Sequence, residues 1–286
     1  MVNKIALFFL IFSGLAFGND RTKVIYGEDN RKDVLNSKDW NHKYLAESTA
    51  AMINKNKLIE KKGYYIITGQ LLKDKLNLCP EEKFKNHITA ATCSGFLVGP
   101  TTLVTAGHCA EVSNFCSNFY WAFNYYHERD GKPIKISKSD IYKCNKIIYK
   151  TKDSRTKQDF AIIELDREVP WRNPLELRQD DKTSKGEPIF VIGNPTGMPT
   201  KVSDGAFVRD SSHPQFLVTN LDAFGGNSGS AVFNTDTGLV EGILVRGERD
   251  YVYDSTKKCY RPKYCSMSEC RGEDVQKIHP VLEHLP

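Results

Sequence analysis

From about residue 60 onward, apolar positions come in short runs or alternate with polar ones, and turn residues interrupt them before a long helix can form. Alternation with a period of two places successive side chains on opposite faces of a strand. On that basis strands are predicted at 64–68, 95–98, 102–105, 119–125, 141–149, 160–165, 189–192, 205–208, 216–219, 231–233 and 239–245. Many short strands with Gly- and Pro-bearing turns and little helix argue an all-β barrel or sandwich. One helix-compatible stretch lies at 45–59, and a last short helix is expected near 273–278. Residues 166–174 read as the connector between two halves.

The start of the chain has a different pattern. Lys4 precedes an apolar run at 5–12, and small residues lead to Ala16-Phe17-Gly18, which reads as a signal peptide over 1–18. The run is too short to span a bilayer, and no later stretch is long enough. The mature protein is therefore expected to be secreted or periplasmic, without a membrane anchor. Export also changes how the eight cysteines are read: an even set in an oxidising compartment points to disulfides rather than to metal. Cys93 should pair with Cys109, because a strand-turn-strand between them brings the two ends together. Cys116 with Cys144 is the next candidate, and one of Cys259, Cys265 and Cys270 is left for Cys79.

Composition adds little to the functional picture. The 286 residues carry 40 Lys+Arg against 35 Asp+Glu, a net charge of +5 with the signs interleaved. Such a surface is an ordinary solvated one, so no nucleic-acid partner is expected. There is no zinc-ligand spacing, phosphate loop or internal repeat, and neither cofactor nor metal is expected.

Three segments carry chemistry: Thr105-Ala106-Gly107-His108-Cys109, Asp159-Phe160-Ala161-Ile162-Ile163 and Gly225-Gly226-Asn227-Ser228-Gly229-Ser230. A serine hydroxyl is a poor nucleophile at neutral pH, so acyl transfer needs an imidazole to take its proton and a buried carboxylate to fix the imidazole's tautomer. Here Ser228 is the candidate nucleophile, His108 the base and Asp159 the orienting acid. Glycines around Ser228 allow a tight turn that exposes the hydroxyl and aims the backbone N–H groups of Gly226 and Ser228 at one point, an oxyanion hole. The order His, Asp, Ser is unlike that of nucleophile-elbow esterases, which run Ser, Asp, His. A non-catalytic binding protein on a similar scaffold is the other reading.

With these three motifs the chain resembles the chymotrypsin-like protease family, and within it the bacterial glutamyl-endopeptidase-like branch, over roughly residues 60–250. The segment Val24-Ile25-Tyr26-Gly27 is similar to the start of mature enzymes of that branch. The resemblance implies two six-stranded antiparallel β-barrels with the active site in the cleft between them. The first barrel would span 61–170 and the second 171–250, after an N-terminal segment at 19–60, in part a pro-segment, and before a disulfide-stapled, Cys-rich tail at 251–286. It also implies a monomer acting on protein or peptide substrates. Asp222 matches the floor of the primary pocket in trypsin-like enzymes, which would select Lys or Arg, while Arg246 and Gly247 lie on the facing wall. If Arg246 turns inward it neutralises Asp222 or itself attracts an acidic side chain; if it faces solvent, basic selection follows. The histidine that assists acidic selection in the glutamyl branch has no counterpart in Ile243-Leu244-Val245-Arg246-Gly247. Asn227 replaces the acid that pairs with a new N-terminus in animal trypsins, and a cut after Lys23 would expose the family-like start at Val24.

Overall fold

The computed structural model describes residues 24–130 and 132–286. The signal peptide expected over 1–18 and the expected cut after Lys23 lie outside the described residues or at their edge. The chain folds into two closed six-stranded antiparallel barrels. In the first, the strands run around the barrel in the order Phe119–Ala122, Ile141–Lys152, Asp159–Leu165, Thr102–Thr105, Ala91–Leu97 and Thr49–Asn54. In the second, the order is Pro188–Gly193, Ala231–Asn234, Val240–Arg246, Glu273–Lys277, Phe216–Thr219 and Lys201–Asp210, closed by pairing of the last with the first. Arg31–Asp33 adds to the outer side of Lys201–Asp210.

Two stretches depart from the sequence expectation. Residues 45–59 do not form a helix. A short helix, Trp40–Ala46, starts at Asp39, whose side chain accepts from Asn41 N at 2.8 Å, and it is over before Thr49–Asn54 enters the first barrel. Ala, Met and Ile favour or tolerate helix, yet here the strand finds partners on both sides, Ala91–Leu97 and Phe119–Ala122, and burial outweighs propensity. Likewise Glu273–Lys277 is a central strand paired on both edges, followed by the short helix His279–Leu282. Its five residues are all buried although most are polar. Charge compensation makes this possible: Asp274 pairs with Arg246 at 3.0 Å and Arg271 at 2.6 Å, and Lys277 with Asp181 at 3.1 Å.

One apolar cluster runs from the first barrel (Phe96, Leu103, Trp121, Ile162) through Phe160 to the second (Phe190, Phe233, Val245), so the barrels share a core at their junction. The rest of the second barrel fills with Ile189, Val191, Val208, Leu217, Val232, Leu244 and Val275. Each such side chain contributes about 2 to 3 kcal/mol when taken from water. Four disulfides join Cys79 to Cys259, Cys93 to Cys109, Cys116 to Cys144 and Cys265 to Cys270. Among the described residues no helix is long and apolar enough to cross a membrane.

Candidate active site

His108 sits on the turn Gly107–Glu111 that follows Thr102–Thr105. The turn is packed so closely that a Cβ on Gly107 would lie 1.9 Å from the Thr151 carbonyl oxygen, so only glycine fits before the histidine. The disulfide from Cys109 to Cys93 fixes its far side. Asp159 opens the strand Asp159–Leu165 and grips the histidine at two points: its Oδ1 accepts from His108 N at 2.8 Å, and its Oδ2 lies 2.9 Å from Nδ1. A carboxylate can only accept, so Nδ1 carries the proton and Nε2 is left as the basic nitrogen.

Asp159 is almost fully buried, and burial alone would raise its pKa. The hydrogen bonds and charge of His108, with the nearby Arg246, outweigh burial and hold the carboxyl below its ordinary value of 3.8. It is therefore ionised at neutral pH. The second barrel reaches across to fix it: Asp159 N donates to Gln276 Oε1 at 3.0 Å, and Gln276 Nε2 in turn donates to the Gln215 carbonyl.

Ser228 stands on a loop of left-handed glycines, with Gly226 at φ +98° and Gly229 at φ +88°. The loop is tied to the first barrel. Ser94 N donates to the Ser228 carbonyl at 2.8 Å, Ser94 Oγ to the Gly226 carbonyl at 2.9 Å, and a Cβ on Gly229 would lie 3.0 Å from Ala106 N. Cys109 Sγ is 3.8 Å from the Ser228 carbonyl oxygen; as half of a disulfide it has no proton to give, so this is a packing contact. His108 and Asp159 are thus in direct contact, and Ser228 is brought against the same wall through its backbone. No hydrogen bond joins the Ser228 hydroxyl to the His108 ring in this state, and such bonds often tighten only once substrate is bound. The N–H groups of Gly226 and Ser228 have no acceptor among the described residues.

The expected pocket residues are placed differently from one another. Asp222, expected at the pocket floor, has both oxygens engaged by backbone: Oδ1 accepts from Tyr26 N at 2.7 Å and Oδ2 from Asn30 N at 2.9 Å. Burial first, then Asp29, pushes its carboxyl up to about 7 against those two donors and Arg31. Its role in this structure is to anchor the N-terminal segment. Arg246 neither meets Asp222 nor runs free into solvent. It pairs with Asp274, lies 3.9 Å from Asp159 Oδ2, and donates to the Lys157 carbonyl at 3.3 Å. Gly247 lies against Glu273, and a Cβ there would fall 1.8 Å from Glu273 Oε2. The carboxylate beside Gly247 is therefore Glu273, fully buried, with Oε1 also accepting from Glu248 N at 3.3 Å.

Ser94, which holds the Ser228 loop, Gln276, which holds Asp159, and Glu273, which lies beside Gly247, are residues that sequence reasoning missed. Ser94 could be suspected only as a polar residue inside an apolar strand, and the other two lie in the stretch read as a tail helix. Of possible metal ligands near the site, Cys93, His108 and Cys109 cluster, but the two sulfurs are bonded to each other and have no lone thiolate to offer.

Comparison with known proteins agrees with this architecture. The chain is similar over 167 residues, at 28% identity, to a Bacillus subtilis (strain 168) protein named extracellular metalloprotease, covering 54% of this chain and 51% of that one. The chain thus spans about half the length of that curated relative. Among solved structures it is similar in fold to a Glu endopeptidase in complex with MPD, at 16% identity and a TM-score of 0.52 over 91% of this chain and 97% of that chain. It is also similar to the serine endoprotease from Yersinia pestis, at 14% identity and a TM-score of 0.50 over 85% of this chain and 63% of the other. The profile of the trypsin-like peptidase domain matches residues 93–243, from the disulfide that clamps the histidine turn to the strand beyond the serine loop, and the chain belongs to that family.

Proposed function

We propose that the chain is an exported serine endopeptidase that uses Ser228 as nucleophile, His108 as base and Asp159 as its orienting acid, and that it cleaves after Lys or Arg. The observation that carries the reading is the two-point hold of Asp159 on His108, which fixes the tautomer with Nε2 as the basic nitrogen. In the reaction Nε2 takes the Ser228 proton as Oγ attacks the peptide carbonyl. The oxyanion of the tetrahedral intermediate accepts from Gly226 and Ser228 N–H, each such donor lowering the barrier by roughly 3 kcal/mol. His108 then returns the proton to the leaving amine, and water repeats the cycle on the acyl-enzyme. Asp159 stays ionised and holds the imidazolium that forms.

For selectivity, the buried carboxylate of Glu273 beside Gly247 favours a basic side chain and disfavours an acidic one, by charge complementarity. That argues against the acidic preference carried in the name of the Glu endopeptidase neighbour. Four disulfides suit an oxidising compartment, in keeping with export. The test is labelling of the mature protein with a fluorophosphonate probe together with hydrolysis of Lys, Arg, Glu and Phe peptide esters. Labelling should vanish in Ser228→Ala, and Glu273→Gln should cut kcat/KM for Lys and Arg esters on the order of 100-fold while sparing the Phe ester. A wild type that neither labels nor turns over would make the chain a binding protein on a protease scaffold. Unchanged selectivity in Glu273→Gln would remove that residue from substrate choice.

A further inference from the structure

Apart from His108, Asp159 and Ser228, the side chains of His87, His127 and Asp130 cluster, and His87 and Asp130 line a cleft together with Glu82, Phe84 and Asn86. The imidazoles of His87 and His127 stack with centroids 3.7 Å apart, and His127 Nε2 lies 3.1 Å from Asp130 Oδ1. One donor atom from each residue falls within 4.8 Å of the others. His87 is 6% exposed, and its Nδ1 is buried with no hydrogen-bond partner among the described residues. Buried polar atoms are almost always satisfied, and leaving one unpaired is costly.

We propose that His87, His127 and Asp130 form a binding site for a divalent transition-metal ion, zinc before the others, which fastens the loop leading into Ala91–Leu97 to the loop after Phe119–Ala122. Two imidazoles and one carboxylate suit zinc and its neighbours; calcium and magnesium take all-oxygen sets instead. Tetrahedral zinc with bonds of about 2 Å needs ligand atoms about 3.3 Å apart, so the three must close in. The two with more room to move are Asp130, whose side chain is 55% exposed, and His127 at 14%, while His87 is buried. Supporting groups are already in place. Asn86 Nδ2 donates to Asp130 Oδ2 at 3.0 Å, and Asp33 Oδ2 lies 4.0 Å from His87 Nε2, where it can receive that N–H as the ring is drawn to a metal. Three protein ligands leave a fourth position for water. The proposal does not depend on the catalytic reading, because none of these residues touches His108, Asp159 or Ser228.

The mature, chelator-washed protein is titrated calorimetrically with zinc chloride and separately with calcium chloride at pH 7.5, and its thermal midpoint is followed in parallel. The expected result is one zinc bound per chain with a Kd of about 1 μM or tighter, no calcium heat, and a midpoint several degrees higher with zinc. His127→Gln at the half-buried position and Asp130→Asn at the exposed one should each weaken zinc binding at least about 10-fold and reduce the thermal gain. Absence of stoichiometric zinc uptake by the wild type overturns the proposal. So does wild-type affinity in both variants, which would place the ion elsewhere.

Discussion

Replacing Asp222 with asparagine separates an anchor for the N-terminal segment from a substrate-binding charge, and the expected size follows from the structure. In the folded protein burial raises this carboxyl from 3.8 to about 7, while both oxygens accept backbone N–H groups from Tyr26 and Asn30. A raised folded-state pKa means that the native protein holds a proton that the unfolded chain has released between these two values. The stabilisation is therefore complete below about pH 4 and is lost as pH rises through 7. At about 1.4 kcal/mol per pH unit, the loss between pH 5 and pH 8 amounts to about 3 kcal/mol. Asparagine has no such titration. It offers one carbonyl oxygen for two donors, and its amide turned toward the other N–H should cost about 1 to 3 kcal/mol at every pH. In a Ser228→Ala background, which prevents self-digestion, urea unfolding of Asp222→Asn is expected to show a clear loss of stability at pH 5 that shrinks or reverses by pH 8. Groups elsewhere titrate alike in both proteins and cancel in the difference. A stability gap that stays constant from pH 5 to pH 8 would refute the reasoning, since it would mean that Asp222 titrates as an ordinary solvated carboxyl.

Gly226 is held at φ +98°, and a Cβ there would lie 2.5 Å from the Asn194 carbonyl oxygen and 2.8 Å from Gly197 N, both backbone atoms that cannot yield. Gly226→Ala should therefore displace the loop and its N–H donor, lowering kcat by about 10²- to 10³-fold with a smaller change in KM; full activity in steady-state assays would show that the N–H is not used. The Cys93–Cys109 bridge closes a separation of 16 residues around the histidine turn. Replacing both cysteines by alanine should cost about 3 kcal/mol in urea unfolding, and an unchanged midpoint would show that packing alone holds the turn.

Much of this molecule is legible in local patterns. Thr102–Thr105 and Asp159–Leu165 stand out because apolar residues bounded by turn signals are read from nearest neighbours alone. The glycines around Ser228 and before His108 also announce themselves, because a left-handed turn or a 1.9 Å approach leaves no room for another residue. The strand Glu273–Lys277 is the opposite case. Its charged and amide side chains look solvent-facing, and only the partners brought by distant segments, Arg246 and Arg271 for Asp274, Asp181 for Lys277 and Asp159 N for Gln276, let it lie in the middle of a sheet.

The same division separates Asp222 from Glu273. A carboxylate shortly before the serine was the obvious candidate for meeting a basic substrate, but its environment is set by a segment nearly two hundred residues earlier in the chain. The Tyr26 and Asn30 amides arrive there only when the N-terminal stretch docks. Sequence by itself determined most of the barrel-forming strands and singled out His108, Asp159 and Ser228 as candidates, because alternation, glycine turns and motif chemistry are short-range properties. The tertiary structure alone decided which carboxylate faces Gly247, which amide holds Asp159 and which histidines gather beside Asp130. Burial and charge compensation depend on residues that meet through the fold rather than along the chain.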